Sequence, residues 1–100
     1  MTPSSAFRLT RVARSDLQRI VERFFDPWQR DEAIAYVDAL MAAMERAAAQ
    51  PGLCTPREDL RPGVRMGRYK AHRFAFVVRD GVLVVLRVAH GRQRVEDMFR

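Results

Sequence analysis

Apolar residues alternate with arginine near the start of the chain, where Phe7, Leu9 and, more loosely, Val12 stand against Arg8 and Arg11. A period of two predicts a short strand with one buried face. The period then changes. From Ser15 and Asp16 onward, Leu17, Ile20, Val21, Phe24 and Phe25 recur at spacings of three and four, which is one stripe of an amphipathic helix. Proline disfavours helical geometry in the residue before it, so this helix is expected to end near Asp26 and Pro27, with Asp26 placed to cap the next element. A second, longer helix is expected from about Asp31. Its stripe is Ile34, Val37, Leu40, Met41, Met44 and Ala47 or Ala48, and Gln50, Pro51 and Gly52 stop it. So short a connection makes the two helices antiparallel, with both stripes facing one layer.

That layer is expected to be a sheet. Residues 51–63 hold three prolines and two glycines in a polar context and read as a loop. Three strand patterns follow at Val64 to Tyr69, Arg73 to Arg79 and Val82 to Ala89, and Asp80-Gly81 between the last two is a hairpin signal because both residues tolerate positive φ. The fold class is therefore α+β: an N-terminal strand, an antiparallel two-helix hairpin, then a three-stranded antiparallel meander, with the helices packed on one sheet face. Strict alternation puts Phe74, Phe76 and Val78, with Val82, Val84, Leu86 and Val88, under the helices. It puts Arg73, Ala75, Val77, Leu83, Val85, Arg87 and Ala89 on the opposite face, where no remaining segment is large enough to cover them. An apolar strip framed by arginines marks a surface for a partner, or a homodimer contact. The tail after Gly91 is charged, with Val95, Met98 and Phe99 spaced to dock as a short turn.

Length and charge narrow the function. At 100 residues the chain, residues 1–100, is expected to be a single domain with one two-layer core. Its apolar runs are far shorter than a membrane span of roughly 20 residues. Met1 to Ala6 carry no signal pattern, and the single cysteine, Cys54, has no partner for an internal disulfide, so a cytoplasmic protein is expected. The net charge of +6 attracts nucleic acid or an acidic protein. Of the 18 cations, 17 are arginine, which suits bidentate pairing to carboxylate or phosphate and also accompanies GC-rich coding.

Several short pieces lie along the chain, none specific by itself: Arg8-Leu9-Thr10 leading to Ala13, Asp16-Leu17 and Ile20; Trp28; Tyr36; Gln50-Pro51-Gly52-Leu53; Asp59-Leu60-Arg61-Pro62-Gly63; and Leu86-Arg87-Val88-Ala89-His90-Gly91-Arg92. In this order and spacing they resemble the ParE branch of the ParE/RelE superfamily, toxins of type II toxin–antitoxin pairs. Two places depart from the family pattern. Ala75-Phe76-Val77 stands where members carry an aromatic–Tyr–Arg run, and Ala89 stands where a leucine usually precedes the histidine. The resemblance implies a toxin that poisons DNA gyrase by binding, neutralised by a ParD-like antitoxin whose C-terminal segment wraps it. It also implies operator DNA bound only through the toxin–antitoxin complex. The wrapping segment matches the open face carrying Arg73, Ala75, Val77, Leu83, Val85, Arg87 and Ala89. Arg61, Arg65, Arg68, His90, Arg92 and Arg94 are then candidates for contact with gyrase or nucleic acid.

Two other readings stay open, a RelE-like ribosome-dependent mRNA endonuclease and an inert member that only binds antitoxin. Arg65, Arg68, Arg73, Arg87, His90 and Arg92 would supply a nuclease with cations and one imidazole. Against that reading, Tyr69 is the only tyrosine near the sheet, the tail has none, and the last two strands carry no acid before their turn. No catalytic residue is assigned. No cofactor or metal is expected, since His72 and His90 lack a third ligand at recognisable spacing. Trp28 fits a ligand platform or, beside Pro27, a staple of the helical hairpin; Met41 and Met44 belong to the core; Cys54 fills the loop. Arg87 is the strongest candidate for partner contact, because it interrupts an apolar strand and needs a partner or an open face.

Overall fold

The computed structural model describes residues 7–23 and 27–99, the side chains of residues 27 and 28 excepted. In chain order its elements are β1 (Phe7–Leu9), α1 (Arg11–Glu22), α2 (Pro27–Ala49), β2 (Thr55–Pro56), β3 (Arg65–Tyr69), β4 (His72–Arg79) and β5 (Val82–His90). Short 3-10 turns occupy Pro51–Leu53 and Val95–Phe99. The expected α+β arrangement is observed: both helices pack on one face of a sheet ordered β1-β5-β4-β3-β2. β1 runs parallel to β5 and the other neighbours are antiparallel. The two-residue β2 was not expected. Pro56 suits such an edge because it has no N–H to leave unpaired.

α1 begins at Arg11, four residues before the predicted start at Ser15. Thr10 is its cap. The Thr10 hydroxyl accepts the Ala13 N–H at 3.0 Å and donates to the Leu86 carbonyl at 3.0 Å, which fastens the helix start to β5. Val12 therefore belongs to the helix and not to β1. α2 begins at Pro27 and not near Asp31, since proline at the first helical position fits the backbone and lacks an N–H that would be unpaired anyway. Its buried stripe is Ala33, Val37, Leu40, Ala43, Met44 and Ala47, which keeps Val37, Leu40, Met44 and Ala47 of the predicted one but puts Ala33 in place of Ile34, which is 44% exposed. The expectations for Met1 to Ala6, Phe24, Phe25, Asp26 and the Trp28 side chain lie outside the described residues.

The turn at Asp80-Gly81 forms as predicted, with φ of 52° and 77°. A second two-residue turn, Lys70-Ala71, joins β3 to β4. Under the helices, Phe74 and Phe76 pack with ring centroids 6.0 Å apart among Leu17, Leu40, Met44, Leu83 and Val85. Burying each phenylalanine contributes about 1.5–3 kcal/mol. Gly67 lies opposite Phe74 on β3, and a Cβ there would overlap the Phe74 ring, so the close approach requires glycine.

Strict alternation fails on β5. Pairing runs from Ala75↔Arg87 to Phe76↔Val85, so Leu86 is an extra residue in a β-bulge. The bulge reverses the expected faces of Leu83 and Val85, which lie under the helices at 1% and 0% exposure. Val84 and Leu86 face the other way, and Val88 beyond the bulge returns to the helix side. The opposite face is not open either. Ala75 and Val77 are buried there with Val64, Met66, Leu60 and Phe99, under the loop before β3 and the Val95–Phe99 turn. Arg57 holds that cover together by pairing with Asp59 at 2.8 Å and Glu96 at 3.0 Å. Ala89 is buried as well.

Candidate functional site

Arg87, the predicted partner contact, has its partner inside the chain. β1 stops at Leu9, which pairs with Val85, so the outer edge of β5 is bare beyond that point. Asp16 on α1 fills the gap. Its Oδ2 accepts the Val88 N–H at 2.9 Å and the Arg87 Nε–H at 2.9 Å, and its Oδ1 takes Arg87 Nη2 at 3.0 Å and Arg19 Nη2 at 2.7 Å. Arg87 Nη1 donates to the Met98 carbonyl at 3.2 Å, so one side chain ties α1, β5 and the tail together. Burial alone would push the Asp16 carboxyl up, but the bonds from Arg87, Val88 and Arg19 outweigh it and hold the pKa below the ordinary carboxylate value. Arg87 therefore makes structural contacts within the chain. Of the seven residues expected on one open face, Arg73 and Arg87 are half-buried and the other five are buried.

A cluster of aromatic and imidazole side chains gathers at the end of the sheet where β3 meets β4. Tyr69, His72 and His90 stand side by side across β3, β4 and β5. Tyr36 reaches them from α2, its Oη 2.7 Å from His72 Nδ1, and its ring lies 5.4 Å from that of Tyr69. The His72 and His90 rings meet edge to face at 5.2 Å. Burial, and then the nearby His90 and Arg23, push the His72 pKa down, and its Nδ1 shares a hydrogen bond with the Tyr36 hydroxyl. Burial also pushes the Tyr36 phenol up. His90 Nδ1 accepts the Arg92 N–H at 3.1 Å, which leaves its ring proton on Nε2 as a donor.

Cations surround this row. A cleft of about 600 Å³ between α1 and the sheet end is lined by Asp16, Arg19, Arg23, His72, His90 and Arg92. A second, of about 260 Å³, lies between the Lys70-Ala71 turn and the turn after β5, lined by Arg68, Arg73, His90 and Arg92. His90 and Arg92 belong to both. The turns are joined by the Gly91 N–H donating to the Ala71 carbonyl at 2.7 Å. Of the predicted contact residues, the fold brings together Arg68, His90 and Arg92. Arg61 stacks on Phe99, Arg65 donates to the Cys54 carbonyl at 2.8 Å, and Arg94 pairs with Asp97 at 3.7 Å. The other members, Tyr36, His72, Arg73 and Arg23, come from distant parts of the chain. Tyr36 and His72 are separated by 36 positions, and no local spacing signals their contact. No group of three or more His, Cys, Asp or Glu able to hold a metal forms among the described residues. Burial pushes the Cys54 thiol up, away from the reactive thiolate.

With this geometry in view, comparison with known proteins is decisive. The model of the ParE toxin of type II toxin–antitoxin systems matches residues 7–95, which takes in every strand and both helices. The chain belongs to the ParE toxin family. It is 33% identical over 94 residues to Toxin ParE1 of Mycobacterium tuberculosis, covering 93% of this chain and 96% of that protein. To Toxin ParE1 of Caulobacter vibrioides it is 35% identical over 85 residues, covering 84% and 86%. Among solved structures, a chromosomal ParDE system from P. aeruginosa superposes with a TM-score of 0.67 at 20% identity, covering 86% of this chain and 95% of that one. The RelBE2 toxin–antitoxin complex from Mycobacterium tuberculosis superposes with a TM-score of 0.58 at 19% identity, covering 90% and 94%. The two superpositions establish the ParE/RelE fold. No helix among the described residues is long and apolar enough to cross a membrane.

Proposed function

We infer that this ParE-family toxin acts in the cytoplasm by binding DNA gyrase and blocking supercoiling, and that a ParD-like antitoxin holds it inactive. The observation that carries this reading is the match to the ParE model over residues 7–95. The P. aeruginosa neighbour is by its title a ParDE system, and an antitoxin is carried over from it as the partner here. Operator DNA is then bound only through the toxin–antitoxin complex. The acting surface is the sheet end carrying Arg68, His90 and Arg92, with Arg23 and Arg73 beside them. Binding without chemistry fits the state of the groups there. The Asp16 carboxylate is held ionised by three donors, and Tyr36 and His72 are engaged with each other. To test the reading, purified protein is added to gyrase acting on relaxed plasmid. Supercoiling is expected to stop and to resume when the cognate antitoxin is supplied. Undisturbed supercoiling together with cleavage of ribosome-bound mRNA would replace this reading with the nuclease one. Expression without antitoxin that leaves growth unaffected would make the chain an inert binder.

A further inference from the structure

The sheet end holds positive charge that the fold itself does not neutralise. Arg19 is paired with Asp16, but Arg23, Arg68, Arg73 and Arg92 have no carboxylate partner among the described residues. Two of the four are held in place by neutral groups. Arg68 Nε donates to the Lys70 carbonyl at 3.0 Å and Arg73 Nη2 to the Gln93 carbonyl at 2.8 Å, so their positions are fixed while their charge stays uncompensated. Arg73 Nε is buried with no hydrogen-bond partner. Between them, His90 adds an Nε2–H donor, its Nδ1 being taken by the Arg92 N–H. The two clefts share His90 and Arg92, so the four guanidiniums line one continuous path from α1 to the β3–β4 turn.

Guanidiniums held together in this way repel one another, and an anion with several charges in sequence relieves that repulsion. A lone carboxylate brings one charge to one guanidinium, whereas the consecutive phosphates of a nucleic-acid strand present one charge after another along a path. We propose that the joined clefts seat the phosphodiester backbone of a nucleic-acid strand, with Arg23, Arg68, Arg73 and Arg92 on successive phosphates and His90 donating from Nε2. The proposal names the ligand class of the cleft already taken as the acting surface and rests on that reading only to this extent. The binding experiment contains no gyrase, so the two can fail separately.

Fluorescence anisotropy of the full chain is measured with labelled single-stranded oligonucleotides of about 10 nucleotides, one deoxyribose and one ribose. Four phosphate contacts predict a log–log salt slope of roughly −3, which is about a fifty-fold loss of affinity from about 50 to about 200 mM salt. Arg92→Ala and Arg23→Ala, both at exposed positions, should each reduce the slope by about 0.7, and Arg8→Ala and Arg30→Ala should leave it unchanged. A preference for the ribose strand would assign the site to RNA, and equal binding would assign it to the shared phosphodiester; both support the proposal. It is overturned if neither strand binds at low salt, if Arg8→Ala and Arg30→Ala weaken binding as much as the cleft variants, or if polyglutamate of equal charge competes equally well.

Discussion

Arg87 and Arg92 lie on the same stretch of chain, one before and one after the end of β5, and they have opposite fates. Arg87 interrupts an apolar strand, yet it is fully occupied by Asp16 and the Met98 carbonyl. Arg92 sits in an exposed turn and has no described carboxylate partner. An arginine in an apolar context was compelled to find an internal partner because leaving its charge buried alone is costly. Arg23, Arg68 and Arg92 at the sheet end are exposed and carry no such requirement, so their clustering is available for a ligand. The comparison separates an arginine whose charge is used inside the fold from one whose charge is left for a proposed partner.

The strongest way to break this division is through Arg87 itself. Arg87→Met leaves Asp16 buried with only Arg19 and the Val88 N–H, and should cost about 2–4 kcal/mol. This is below the usual cost of breaking a buried pair because 22% of the Arg87 side chain stays in solvent. Urea denaturation measures it, and a loss below about 0.5 kcal/mol would return Arg87 to the surface-contact class. Gly67→Ala should come next, at about 1–3 kcal/mol, because the added methyl displaces the Phe74 ring. The same denaturation series checks it.

Acidity sharpens the contrast further. The folded pKa of Asp16 lies below its unfolded value of 3.8, so its stabilisation is complete above that pH and is lost as pH falls through 3.8 toward the folded pKa. His72 also has a folded pKa below its unfolded value of 6.5. The unfolded chain takes up that proton first, so stability is unaffected above pH 6.5 and declines as pH falls from there toward the folded pKa. Stability measured across this range should show two separate declines, and Arg87→Met should diminish only the more acidic one. The smallest expected effect on stability belongs to the cleft, where Arg23→Ala and Arg92→Ala should each stay within about 0.5 kcal/mol of the parent chain.

These contrasts also show where the sequence was readable. The Asp80-Gly81 hairpin was legible because positive φ restricts residue choice, and both residues advertise it. The helices were legible in type from their stripes but not in their limits. Ser15-Asp16 has the form of a helix start, whereas Thr10 is the cap and the Asp16 carboxylate serves β5 instead. Ala13 continues the stripe of Leu17 and Ile20 backward and was the available signal. The bulge at Leu86 had no signal, since an extra apolar residue in the unbroken apolar run from Val82 to Leu86 looks the same on either face. That one residue reversed the assignment of Leu83 and Val85 and turned an expected binding face into core. The sheet-end site was half legible: Arg68, His90 and Arg92 stood out as candidates, while Tyr36, His72 and Arg23 join them only through tertiary packing.

The claim that the sheet end is the acting surface is tested most directly by gyrase itself. Supercoiling of relaxed plasmid is measured with the parent protein and with the Arg23→Ala/Arg92→Ala double variant, both confirmed to unfold at the same denaturant concentration. The parent protein is expected to block supercoiling and the double variant to leave it running. A double variant that blocks supercoiling as strongly as the parent would contradict the claim.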